Sequence, residues 1–113
     1  MNIIFVEPGF PANQRRFALA LAAVGANVVG VGESEEWMLD DELRDALAGY
    51  YRVGSVTSLH EMTQAVRFVQ SRLWVDRLEA TVEAHTMVAA QVREATGIPG
   101  TSVGKPHPGG VGA

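Results

Sequence analysis

The chain reads as an α/β protein, with an open, mostly parallel sheet of about four strands and helices on both faces. Two observations predict this class. Short apolar runs, two of them bounded by glycine or proline, have the look of strands buried on both faces. Between them lie segments whose apolar residues recur at helical spacing. Together they give the order βαβαβαβα, and that alternation builds a parallel sheet.

The first run, Ile3-Ile4-Phe5-Val6, is stopped by Glu7-Pro8-Gly9-Phe10-Pro11, where two prolines and a glycine exclude regular structure. Asn13 can cap the helix that follows. Phe17, Ala20, Leu21 and Val24 fall at i, i+3, i+4 and i+7 and predict its buried face. Gly25 suits a left-handed cap. Ala26 to Gly32 reads as the second strand, completing a right-handed βαβ unit.

Glu33 to Leu39 is a loop, and Asp40-Asp41-Glu42 opens a short helix, with its acids placed favourably against the helix dipole. Leu43, Ala46 and Leu47 form its apolar stripe and Gly49 ends it. Tyr50 to Val53 is the third strand. Ser58-Leu59-His60-Glu61 matches a capping box. Leu59, Met62, Ala65, Val66, Val69 and Leu73 continue at helical spacing. Trp74 to Leu78 is the fourth strand, and a last helix runs from Thr81 to Thr96, ended by Gly97 and Pro99.

The folded domain is expected over residues 1–100. Residues 101–113, rich in glycine and proline, are expected to form a disordered tail. A chain of 113 residues with 47% hydrophobic and 19% charged residues suits one soluble domain. The net charge of −4, from 13 acids against 9 bases, argues against nucleic acid as a partner. No apolar run has the length of a membrane span, and no targeting segment is visible, so the expected location is the cytoplasm. The absence of cysteine excludes disulfides, thiolate metal sites and a cysteine nucleophile.

In open α/β sheets, ligands bind beyond the carboxyl ends of the strands. The loop after the first strand holds that position, so Glu7, Pro8, Gly9 and Phe10 are the candidate substrate-binding residues. Glu7 can hold an ammonium group and Phe10 can supply an apolar wall; alternatively, Glu7 is a solvated loop acid and Phe10 a plug over the first helix. The loop has one glycine and an acid, which disfavours a dinucleotide. Gly30-Val31-Gly32 is read as a strand end. Gly100-Thr101-Ser102-Val103-Gly104-Lys105 is one residue short of a phosphate-binding loop, and Pro106 stands where a magnesium-ligating Ser or Thr is needed.

A phosphoacceptor receiver domain needs an acid cluster after the first strand, an Asp ending the third and a Lys ending the fifth, none of which is found here. The three histidines, His60, His85 and His107, lie in unrelated elements. His85 shares a helical face with Val88, Ala89 and Val92 and reads as a partly buried structural residue. Arg15 and Arg16 read as solvent-facing charges, with an anion in the cleft of the first loop as the alternative. No catalytic group, metal set or cofactor site is assembled.

The run from Asn2 to Pro11, then Arg16-Phe17 and Gly25 to Gly32, resembles the N-terminal domain of ATP-grasp ligases. Leu78 to Glu83, Ala90-Gln91-Val92-Arg93-Glu94 and Thr96-Gly97-Ile98-Pro99-Gly100-Thr101-Ser102 resemble the stretch joining that domain to the ATP-binding lobes. The resemblance implies a Rossmann-like substrate-side domain of a carboxylate–amine or carboxylate–thiol ligase. In that family ATP converts a carboxylate to an acyl phosphate, with magnesium bridging the phosphates. The phosphate-binding lysines, glycine-rich lid and metal ligands belong to the other lobes.

The match stops near Val103. The chain is therefore expected to be a truncated member, inactive by itself, or a stand-alone module working with ATP-grasp lobes in a separate chain. A homodimer is compatible with either reading.

Overall fold

The computed structural model describes residues 1–9 and 12–100. Phe10, the 101–113 segment and most of the near-miss phosphate loop lie outside the described residues. The elements are β1 (Asn2–Val6), α1 (Ala12–Ala23), β2 (Asn27–Gly32), α2 (Asp41–Ala46), β3 (Gly49–Arg52), α3 (Leu59–Gln70), β4 (Arg77–Glu79) and α4 (Glu83–Thr96), with a 3-10 turn at Glu36–Met38. All strand pairs are parallel, in the order β3-β2-β1-β4. This is the open α/β architecture expected from the alternation of elements, and its parallel sheet is consistent with a Rossmann-like fold.

The strand order explains the layering. The chain steps one way from β1 to β3, then returns past β1 to β4, so right-handed crossovers lay the early and late helices on opposite faces. Side chains alternate along each strand. Phe5 and Val28 face α1 and α2, where Ala18, Leu39 and Leu43 close one core. Ile4, Val6, Val29 and Val31 face α3 and α4 in a larger core with Met62, Ala65, Val66, Val69, Ala89 and Val92. Among the described residues no helix is long and apolar enough to cross a membrane.

Several local expectations hold. The side chain of Ser58 caps α3 by accepting from the Glu61 amide at 3.2 Å. The Glu61 carboxylate accepts from the Gly54 amide at 2.6 Å rather than returning to Ser58, so it fastens the β3–α3 loop instead of closing the reciprocal box. Gly25 and Gly97 take the positive φ expected of them, 96° and 77°.

The first helix differs from its predicted form. Asn13 lies inside α1 rather than capping it. Its buried residues are Gln14 and Ala18, whereas Phe17 and Val24 are 46% and 82% exposed. The reason is polar. Gln14 turns inward because its Nε2 donates to the carbonyl of Val6 at 3.3 Å and its Oε1 accepts from the Thr81 hydroxyl. A buried strand-end carbonyl needs a donor, and supplying one rotates the helix away from its most apolar face. Phe17 still stacks its ring on Phe5, with centroids 5.4 Å apart.

The fourth strand begins three residues later than predicted, leaving Trp74 exposed. The second helix stops at Ala46, capped by Leu47, and Gly49 instead opens β3. The last helix begins at Glu83 rather than Thr81. Leu59 is 43% exposed because it is the first residue of α3, beyond the packed face.

Candidate functional site

Three strands deliver charged residues to one edge of the sheet. Glu7 follows β1, Glu33 follows β2, and Arg52 is the last residue of β3. Parallel pairing aligns Val6 with Val31 and Gly32 with Arg52, so residues far apart in sequence converge at the carboxyl ends. With Ser34, Glu35 and Met38 they line an open cleft of about 400 Å³.

Glu7 is held in a conformation unusual for its type. Its φ is 56°, the sole positive value at a non-glycine among the described residues; a side chain there is disfavoured. Its amide donates to the Val31 carbonyl at 2.7 Å, which fixes the turn. Its Oε2 accepts from the Glu33 amide at 3.3 Å. The carboxylate rests against Gly32, where a Cβ would lie 2.5 Å from Glu7 Oε1 and 2.7 Å from the Tyr50 hydroxyl. Glycine at 32 is therefore what lets carboxylate and phenol approach the sheet.

Burial pushes the Glu7 carboxyl above its usual range, and the neighbouring charge of Glu33 adds to this against the Glu33 amide bond. Burial, helped by the charge of Glu7, pushes the Tyr50 hydroxyl up to about 12, so it stays a donor, to the Ser34 carbonyl at 2.8 Å. Arg52 Nε donates to the Glu33 carbonyl at 3.1 Å and lies 3.8 Å from Glu35 Oε2. Glu33 Oε2 accepts from the Val56 amide at 3.0 Å, drawing the β3–α3 loop toward the cleft.

The predicted site residues divide in their roles. Glu7 lines the cleft. Pro8 is fully buried, and its Cγ would stand 2.7 Å from a Cβ at Gly30, so it packs the loop onto β2. Gly9 allows close approach to Leu39, whose Cδ2 would lie 2.8 Å from a Cβ there. Phe10 is outside the described residues. Gly30-Val31-Gly32 is the end of β2, as expected.

Arg15 pairs with Asp40 at 2.8 Å and with Glu42, tying α1 to α2, and holds the Asp40 carboxyl below its usual range. His85 is partly buried, as read from its helical face. Its Nδ1 is buried without a hydrogen-bond partner among the described residues, and burial lowers its pKa against the opposing charge of Glu33.

Glu33, Ser34, Glu35, Met38, Tyr50 and Arg52 were not singled out by sequence reasoning. The signal was available: Glu33 and Arg52 occupy the carboxyl ends of β2 and β3, as Glu7 does that of β1.

No protein-family model matches the chain, and no curated protein matches it in sequence. A second hollow, of about 180 Å³, lies toward the amino ends of the strands among Leu73, Trp74, Val75, Ile98 and Pro99 and has no titratable side chain among the described residues. The charged cleft is the better candidate because it combines the usual ligand edge of the fold with groups able to orient a charged molecule.

Proposed function

We propose that this chain is a substrate-side domain of an ATP-grasp carboxylate–amine or carboxylate–thiol ligase, and that its cleft binds an ammonium-bearing group on Glu7. The single observation carrying the reading is the half-buried Glu7 carboxylate, held at φ 56° beyond β1 and facing the cleft. Strained backbone positions cluster at functional sites, and a carboxylate losing solvent gains most from a cation. Binding an ammonium would offset the burial of Glu7 and draw its pKa back down. The parallel β3-β2-β1-β4 sheet supports the Rossmann-like part of the reading, and the residues resembling the ATP-grasp family support the rest.

The cleft does not fit ATP or magnesium. Glu7, Glu33 and Glu35 line it, where a polyphosphate needs donors. Among the described residues no three His, Cys, Asp or Glu side chains are grouped to hold a metal. In this reading nucleotide and metal belong to ATP-grasp lobes, in the same or a separate chain, and this domain orients the substrate that those lobes activate.

The test is an amide-resolved NMR titration with butylammonium. Shifts should appear at Glu7, Gly32 and Glu33 and vanish in Glu7→Gln. No shifts, or shifts unchanged by that substitution, would refute the ammonium site. The ligase assignment predicts that in the assembled enzyme Glu7→Gln raises KM for the amine-bearing substrate about tenfold, equivalent to about 1.4 kcal/mol, and leaves KM for ATP alone. An unchanged KM for the amine would overturn it.

A further inference from the structure

Arg52 is the one cation lining the cleft among the described residues, and it is incompletely used. Its Nε–H donates to the Glu33 carbonyl at 3.1 Å, which holds the guanidinium in place. The nearest carboxylate, Glu35, stands 3.8 Å from the same nitrogen. Neither terminal amino group makes a hydrogen bond within the described residues, and the side chain is 52% exposed. A guanidinium anchored through Nε presents the planar edge of its terminal amino groups, a geometry suited to two oxygens of a carboxylate or phosphate.

The other charges of the cleft decide what kind of anion can come. Glu7, Glu33 and Glu35 outnumber Arg52. A simple anion meets net repulsion, and a simple cation leaves the guanidinium unused. A ligand carrying both charges meets neither difficulty, because its ammonium offsets the carboxylates while its anion reaches the guanidinium.

We infer that the cleft takes a ligand bearing an ammonium and an oxyanion, a carboxylate or a phosphate, with Arg52 as the residue that reads the oxyanion. The inference rests on the Glu7 reading for the cationic end of the ligand. Arg52 is a specificity-determining residue here. Glu35 modulates it, since a carboxylate 3.8 Å away competes with the incoming anion.

The experiment is an NMR titration of the whole chain with matched probes. Butylammonium carries the cation alone, butyrate the anion alone and 4-aminobutyrate both; 3-aminopropyl phosphate replaces carboxylate by phosphate. A series of ω-amino acids from β-alanine to 6-aminohexanoate covers the span between the two charged groups. At least one doubly charged probe should bind about tenfold tighter than butylammonium. Arg52→Gln should abolish that advantage, while butylammonium still binds at least as tightly as in the wild type, because the substitution takes a like charge out of the cleft. Arg52→Lys should restore part of it. The more strongly favoured of the carboxylate and phosphate probes identifies the oxyanion.

Butylammonium binding through Glu7 with no gain from any doubly charged probe overturns the role of Arg52 alone. An advantage that survives Arg52→Gln overturns it as well. Butyrate binding that depends on Arg52, with no response to butylammonium, overturns the Glu7 reading and the two-charge ligand while keeping Arg52 as an anion reader. Arg52 is exposed at the last position of an edge strand, and the dispersion of the unliganded spectrum confirms folding in each variant.

Discussion

Replacing Glu7 separates the strain of its backbone from the use of its side chain. At φ 56° a residue with a Cβ is disfavoured by about 1–2 kcal/mol. Glu7→Ala keeps that cost and removes the carboxylate. Glu7→Gly removes both but gives the unfolded chain extra freedom, costing about 0.4–1 kcal/mol. Glu7→Gly should therefore be more stable than Glu7→Ala by about 0.5–1 kcal/mol. For a domain of this size that is a rise in Tm of about 2–5 °C.

Against the wild type, Glu7→Ala loses the bond from the Glu33 amide but also relieves a carboxylate disfavoured by burial, and these oppose one another. Thermal and urea unfolding followed by far-UV circular dichroism give the comparison. Both variants should lose ammonium binding, so the glycine variant would trade function for stability, as strained sites do. A glycine variant no more stable than the alanine variant would refute the strain argument. A loss of several kcal/mol in both would make the Glu7 side chain a structural pin.

Three further outcomes follow from the packing. Gln14→Ala removes the buried donor to the Val6 carbonyl and the acceptor for Thr81; it should cost about 2–3 kcal/mol in urea unfolding, and a loss below about 0.5 kcal/mol would show that water replaces it. Ser58→Ala should cost about 1 kcal/mol through loss of the α3 cap, read as a shift in urea midpoint at constant m-value. The pKa of His85 is lowered in the folded state, so its contribution to stability is complete above its unfolded value near 6.5 and is lost as pH falls through the folded value. Urea midpoints between pH 7 and pH 4 should fall less in His85→Leu than in the wild type, and parallel curves would remove His85 from the acid response.

The fold was legible where one signal dominated. Ile3 to Val6 and Val28 to Val31 are runs that only a doubly covered strand can bury, and the Ser58 cap and Gly97 stop mark their helix ends locally. The first helix was misread because apolar spacing was its only guide. Gln14 is buried because its amide donates to a carbonyl of another element, which no periodicity reveals. The site was legible as a place, since the end of β1 is visible in sequence and ligands favour that edge. Its membership was legible only in part: the ends of β2 and β3 mark Glu33 and Arg52 as candidates, but the strand order that sets them beside Glu7 is not written locally, and Pro8 looks like a loop residue until Gly30 is seen to receive it.

The order of the strands has a consequence for how the molecule forms. Central β1 pairs with β2 through Asn2 and Asn27, and with β4 through Ile3 and Arg77. Closing the longer of these loops costs about 1 kcal/mol more entropy, so the first pairing should precede the second. Every described residue lining the cleft lies between Glu7 and Arg52, inside the early-pairing half. Pulse-labelled hydrogen exchange should show protection in β1, β2 and β3 before β4, and simultaneous protection would contradict this. A nascent chain would then shape its charged cleft before the far edge of its sheet exists, and β4, with Thr81 reaching Gln14 behind it, would lock a surface already formed.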